Sequence, residues 1–376
     1  MRCRLVGSEM CIRDRATSLL SEKKASFMES VKEEYDIMRE RHLGKQQIKK
    51  YLSYKAALEN KLQLDWISFE PTKPQFLGEK VFENYPLESL TDFIDWTPFF
   101  RTWELHGKYP QILEDEVVGE VASKLFNEAQ VMLKKIIDEK WLQANGVIGF
   151  YPANAINDSI ELYEDEHKEN VKMTLNHLRQ QNEKGKGQPN LSLADFIAPK
   201  SSGKQDYLGG FAVTTGIGIE KKLAEFEKNH DDYNSILLKA LADRLAEAFA
   251  EKMHQMVRTE YWGYQKGESL NNEELIREKY VGIRPAPGYP ACPDHTEKKQ
   301  LFDLLNVTKL TGISVTESFA MLPTAAVSGW YFSHPKSKYF GVGKIGKDQV
   351  KIYAERKGMT FADMEKWLAP VLNYDA

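Results

Sequence analysis

Arg284-Pro285-Ala286-Pro287-Gly288-Tyr289-Pro290-Ala291-Cys292-Pro293 is the stretch on which the reading of this chain turns. Its prolines lack backbone donors and hold φ near −65°, which excludes a helix interior and a central strand. An extended path close to polyproline II is expected, with carbonyls that no ladder satisfies. Arg284 opens the strip, Gly288 permits close backbone approach, and Tyr289 follows directly. One guanidinium and one phenol on a stiff, irregular strip suit the grip of a small anionic ligand. They also suit a plain crossover between helices, and the segment alone does not choose.

Outward from the strip, helical spacing resumes at Asp294, with Glu297 placed as a capping-box partner and a helical pattern over 296–312. Ser328-Gly329-Trp330-Tyr331-Phe332 and Lys338-Tyr339-Phe340-Gly341-Val342 flank a turn and predict a hairpin. Short helices are expected at 347–357 and 361–368. Upstream, the longest helix runs from Asp232 to Tyr261. Its core stripe is Leu238, Leu241, Leu245, Phe249 and Met256. Asp243, Glu247, Ala250 and His254 share another face, where small residues allow close approach.

Further upstream, Val147–Tyr151 and Leu208–Val213 read as strands, with Ile160 and Leu162 in a hairpin partner. A helix covers 115–143, stopped by Asn145-Gly146. A helix or tight turn carries Leu87, Leu90, Phe93 and Ile94 and should end at Pro98. Residues 43–80 read as a linker, and Ser21 to His42 as a helix with Phe27, Val31, Tyr35 and Met38 on one stripe. Strands and helices do not alternate as βαβ units, so the class is α+β with a largely antiparallel sheet.

The 376 residues are 42% hydrophobic and 28% charged with net charge −4, so no basic excess is present to neutralise phosphates, and nucleic acid is excluded as a partner. No apolar run is long enough to span a membrane, and charged residues interrupt the start, which is no signal peptide. Three cysteines (Cys3, Cys11, Cys292) cannot build a disulfide framework, which favours a reducing, cytoplasmic setting. Residues 1–15 have no structural period. Ser8 to Arg15 resembles translated sequencing-adaptor read-through, so this stretch is expected to be non-native and the chain a C-terminal fragment.

Local chemistry narrows little. Cys292 and His295 stand at metal-ligand spacing but lack a second pair, so no metal site is expected. Gly216-Ile217-Gly218 lacks the third glycine of a dinucleotide loop and reads as a turn at a strand end. No nucleophile elbow or phosphate loop is present. A zwitterion carrying carboxylate and ammonium would suit the strip and the scattered acids.

Several motifs resemble one family. Asp95-Trp96-Thr97-Pro98-Phe99-Phe100, His230-Asp231-Asp232-Tyr233, Lys239 through Ala248, and Arg284 through Pro293 are similar to cobalamin-dependent methionine synthase. So are Glu317-Ser318-Phe319-Ala320-Met321, Ser328 through Pro335, and Trp367-Leu368-Ala369-Pro370. The resemblance covers the C-terminal S-adenosylmethionine-binding activation domain over residues 46–376, with 16–45 resembling the last helix and tether of the cobalamin-binding domain.

That resemblance implies a C-shaped α+β domain with a bent antiparallel sheet, binding S-adenosylmethionine in a shallow groove. It implies that Arg284 holds the methionyl carboxylate, and that Asp95 meets the ammonium with Glu247 in support. Backbone groups of Ala286 and Tyr339 would contact the nucleoside, and Tyr289 would lie near the transferable methyl. Phe340 stands where the family can carry tyrosine, so a backbone contact is implied there. No general base is implied, and no catalytic residue is assigned. The implied activity is reductive methylation of cob(II)alamin to methylcobalamin, within an enzyme that methylates homocysteine. Partners would be the cobalamin-binding domain of the same chain and flavodoxin or a flavoprotein reductase. Cobalamin and zinc would sit in missing upstream domains. A free-standing activator of a separate corrinoid protein is the alternative.

Overall fold

The computed structural model describes residues 20–21, 24–45 and 50–375, so the expectation for residues 1–15 lies outside the described residues. The chain divides into two units, one ending at Lys50 and one running Tyr51–Ala376. In the first, helix α1 spans Lys24–Lys45. Phe27 and Val31 of its expected stripe are half-buried, while Tyr35 and Met38 are exposed. Rich in Lys, Glu, Met and Arg, it holds its form by propensity more than by packing.

The second unit is built on an antiparallel sheet. Its strands are β1 (Gly78–Phe82), β2 (Gln143–Ile156), β3 (Ser159–Tyr163), β4 (Val171–Asn176) and β5 (Asp206–Ile217). A two-residue pair, β6 (Ser314–Val315) and β7 (Met321–Leu322), stands apart, and β8 (Ala326–Tyr331) completes the main sheet. The order is β4-β3-β2-β5-β8, with β1 also pairing with β2. Phe150 lies opposite Gly209, and Gly209 opposite Tyr331.

Both faces of the central strands are covered, which is why they read as near-continuous apolar runs. Ile148 and Phe150 join one cluster with Leu245 and Phe249, while Val147 and Tyr151 join another with Leu301 and Trp330. This alternation is the two-residue strand period sorting side chains to opposite faces. The first face is covered by α2 (Gly119–Asp138) and α3 (Asp232–Met256), the latter continued by a π-helical turn, Val257–Tyr261. The second is covered by α4 (Glu297–Leu304). Helices α5 (Lys347–Lys357) and α6 (Phe361–Leu368) form a third cluster around Tyr353 and Met364.

The α+β class, α3 with its π turn, and both C-terminal helices stand as the sequence predicts. The Gly216–Gly218 turn does too, with Gly218 at φ 89° before helix Ile219–Lys228. Several local readings need correction. Residues 43–80 are no plain linker but hold helix Tyr54–Glu59 and β1. The helix expected over 296–312 is broken at Asn306, φ 49°, into Glu297–Leu304 and Val307–Thr311. Helix α2 ends at Asp138, and Asn145-Gly146 lies inside β2, where Asn145 donates to the Thr311 carbonyl at 3.1 Å. Pro98 opens helix Thr97–Thr102 rather than ending the preceding 3-10 turn Leu87–Phe93, because its missing N–H is not needed in a first turn. Glu297 forms no capping box. It is fully buried against Lys357, which also bonds Asp294 at 2.7 Å. Finally, Lys338–Val342 does not pair with β8. Val342 N–H donates instead to the Pro290 carbonyl at 2.8 Å, so this segment folds over the proline strip.

The strip itself is extended only at its start. Ile283 bridges Phe332, and Trp330 N–H donates to the Pro285 carbonyl at 2.8 Å, so the strip runs along the free edge of β8. Gly329 permits this approach, since a Cβ there would lie 2.7 Å from the Pro285 oxygen. Beyond Pro287 the chain turns back, with Gly288 at φ 95° and its N–H donating to the Cys292 carbonyl at 2.7 Å. The carbonyls of Pro285, Ala286, Tyr289, Pro290 and Cys292, expected as orphans, therefore have backbone partners.

Candidate functional site

A cavity of about 500 Å³ lies between α3, the proline strip and the 338–342 segment. Glu247, Arg284, Ala286, Tyr289, Tyr339 and Phe340 all line it, with Phe211 and Val327 from the sheet. Asp95 is not among the lining residues. It precedes helix Thr97–Thr102, half-buried, and its Oδ1 accepts from the Thr97 N–H at 2.9 Å.

Arg284 is the organising cation. Its side chain is 19% exposed, and Nη2 donates to Glu251 Oε2 at 3.0 Å. Its Nε, on the same edge as Nη2, is buried without a partner among the described residues, and its Nη1 makes no hydrogen bond to another described residue. Burial disfavours the guanidinium charge, but Glu251 and the phenols of Tyr280 and Tyr339 outweigh it and raise the pKa, so the cation is permanent. Its backbone N–H donates to the Tyr339 hydroxyl at 3.0 Å, and that hydroxyl is 3.3 Å from the hydroxyl of Tyr280.

Two further acids face the cavity. Glu247 makes no hydrogen bond or salt bridge to another described residue. Burial raises the Glu278 carboxyl above its ordinary range, with Arg284 opposing the shift. Tyr289 is 59% exposed at the rim, and Gly288 beside it packs against the His295 ring.

Behind Arg284 lies a charged layer that sequence reasoning missed. Arg258 is fully buried and grips Glu268 with two bonds of 2.6 Å, while its Nη1 stands 3.7 Å from Glu251. His254, which the sequence placed on the same face as Glu247, is buried between Tyr331 and Tyr280. Burial, with Arg258 and Arg284 nearby, holds its imidazole neutral. Asp243, from the same predicted face, is exposed and pairs with Arg244. The legible signal was the spacing Glu247, Glu251, His254, Arg258, one stripe at the helical period.

The site can hold a small zwitterion. It offers a guanidinium edge for a carboxylate, an unpaired carboxylate for an ammonium, and apolar walls. Cys292 is buried, and burial pushes its thiol well above the ordinary range, as befits packing rather than nucleophilic work. Among the described residues no group of three metal-ligating side chains is assembled.

Residues 86–358 match the profile of the family described as vitamin B12 dependent methionine synthase, activation domain. A solved structure of the MetH reactivation domain bound to AdoHcy (S-adenosylhomocysteine) is similar at 56% identity and a TM-score of 0.84. The match covers 86% of this chain and 99% of that one. With the family's profile spanning most of the chain and the fold shared with that domain, the chain belongs to the activation-domain family of vitamin B12 dependent methionine synthase.

Proposed function

We propose that the Arg284 cavity binds S-adenosylmethionine, and that within the full enzyme the domain supports reductive methylation of cob(II)alamin to methylcobalamin. The observation that carries this reading is the divided guanidinium of Arg284. Glu251 holds it at Nη2 while its Nη1 makes no hydrogen bond to another described residue, in a cavity that also presents the unpaired carboxylate of Glu247. The similar domain that was solved with AdoHcy supports the ligand class.

When bound, S-adenosylmethionine supplies an electrophilic methyl on a sulfonium. The chain's residues bind and orient it. Arg284 takes the carboxylate and Glu247 the ammonium, with Asp95, which does not line the cavity, reaching it through water. Backbone groups of Ala286, Tyr339 and Phe340 hold the nucleoside, and Tyr289 stands at the open rim beside the methyl. No residue here needs to move a proton.

In the same reading, cobalamin belongs to a neighbouring domain of the same chain, of which α1 is the last helix. One electron comes from flavodoxin or a flavoprotein reductase. Zinc serves an upstream domain, and no step here depends on it. Among the described residues no helix is long and apolar enough to cross a membrane, and we place the enzyme in the cytoplasm. The chain by itself binds ligand without turning over.

Calorimetric titration with S-adenosylmethionine tests the reading. Saturable binding is expected, weakened by about 1.5–3 kcal/mol, roughly 10- to 150-fold, in Arg284→Ala. A folded parent chain that takes up no ligand would sink the assignment of the cavity. Equal binding by both proteins would sink the role of Arg284.

A further inference from the structure

We propose that Glu251 is a positioning residue for Arg284, itself braced from behind by Arg258 and Glu268, so that Arg284 presents its Nη1 end in one fixed orientation to the ligand carboxylate. The proposal rests on reading the cavity as an S-adenosylmethionine site, and it adds residues that do not line that cavity.

The four side chains form an alternating row of charge. Glu268 binds Arg258 through two bonds of 2.6 Å, Arg258 Nη1 faces Glu251 Oε1 at 3.7 Å, and Glu251 Oε2 accepts from Arg284 Nη2 at 3.0 Å. The row is neutral as a whole, and Glu268, Arg258 and Glu251 are nearly or wholly withdrawn from water. Breaking such a buried row leaves uncompensated charge, so each member fixes the next.

The two arginines are used differently. Arg258 spends one full edge on Glu268, and its guanidinium lies 4.3 Å from the centre of the Tyr280 ring. It is fully buried and reaches no cavity wall. Arg284 lines the cavity and spends only Nη2 on the protein, its Nη1 making no hydrogen bond to another described residue. The asymmetry fits a brace behind and a grip in front.

Helix geometry explains how the brace is aimed. Glu247, Glu251 and Arg258 fall on one stripe of α3 and its π turn, at the helical spacing. Arg284 arrives from the proline strip, so Glu251 joins two elements that pack on different parts of the sheet. Tyr280 reinforces the join, because its ring covers Arg258 while its hydroxyl sits 3.3 Å from that of Tyr339.

The test is calorimetric titration of AdoHcy into the parent chain, Glu251→Gln, Glu251→Asp and Glu268→Gln, with thermal unfolding of each. Glu251→Gln keeps the shape and loses the charge, and should weaken AdoHcy about tenfold. Glu251→Asp keeps the charge, and should retain more affinity than the glutamine variant. A space-filling role would give the reverse order, and that order, or a glutamine variant within about twofold of the parent, overturns the proposal. Should Glu251→Gln fail to fold, Glu268→Gln decides. About threefold weakening in a folded protein supports the brace, and parental affinity removes it. A folded parent chain that does not bind AdoHcy instead refutes the reading of the cavity, and the positioning role falls with it.

Discussion

The hydroxyl of Tyr339 accepts a hydrogen bond of 3.0 Å from the backbone N–H of Arg284. One short contact thus ties the segment after β8 to the first residue of the proline strip. It also orients the backbone from which the Arg284 side chain departs. Replacing Tyr339 by phenylalanine keeps the ring and leaves that N–H without its acceptor. The expected cost is about 1 kcal/mol in urea unfolding, with a several-fold loss of S-adenosylmethionine affinity by calorimetry. Unchanged values on both counts would show that the tie is dispensable.

Gly288 cannot be replaced cheaply. Its φ of 95° lies where side chains are strained, and a Cβ would stand 2.3 Å from His295 Cε1. Gly288→Ala should therefore lose about 1–3 kcal/mol of stability in a denaturant titration. Displacement of the strip should also weaken ligand binding. A parental midpoint would mean that His295 moves aside without penalty.

The buried triad of Arg179 with Asp158 and Asp195 joins the β3 hairpin turn to the 3-10 turn Leu193–Phe196. None of the three side chains is more than 3% exposed. Arg179→Met would strand two carboxylates in the interior, and a loss of about 3–5 kcal/mol is expected from urea unfolding. Ligand affinity of the folded fraction should stay parental, because the triad lies outside the cavity lining.

Stability should also depend on pH through Asp206. Burial lifts its carboxyl to about 7, although the N–H groups of Ala198 and Tyr207 and the nearby Lys168 favour the anion. An unfolded aspartate titrates near ~3.9. Between those values the folded chain holds a proton that the unfolded chain has released. This contribution is therefore full below about 4 and is lost as pH rises to about 7. Glu297, lifted to about 7 by burial against the opposing pull of Lys357, acts in the same direction. Unfolding free energies from about pH 4.5 to 7.5 should fall less steeply in Asp206→Asn than in the parent. Identical slopes would remove Asp206 from the account.

Sequence legibility followed the reach of each signal. Helices α5 and α6 were readable because their ends are written locally, in Gly358 at φ 64° and in Thr360, whose side chain accepts from the Asp363 N–H. The central strands were readable as apolar runs, though β2 outran its expected bounds because a register shift between Gln143 and Asn145 lets pairing continue. The segment Lys338–Val342 misled because its aromatic, strand-like composition serves contact with the strip, where Phe340 packs beside the second core cluster. At the site, Arg284 and Tyr289 stood out by their setting among prolines, and the family resemblance supplied Ala286 and Tyr339. Glu251 and Arg258 escaped notice since a charged helix face ordinarily faces water. What buries them is Glu268 and the strip, both remote from that helix pattern.

The path of Arg284–Ala286 along β8 has a consequence for how the molecule behaves among its own copies. An open strand margin invites another chain to add a strand there, the usual route to edge-to-edge aggregation. Here that margin is occupied by a segment in which Pro285 and Pro287 have no N–H to offer, and Pro285 has already given its carbonyl to Trp330. The residues that frame the Arg284 cavity thus also terminate the sheet. A substitution that loosened the strip would leave two defects at once, a weakened site and an adhesive flank.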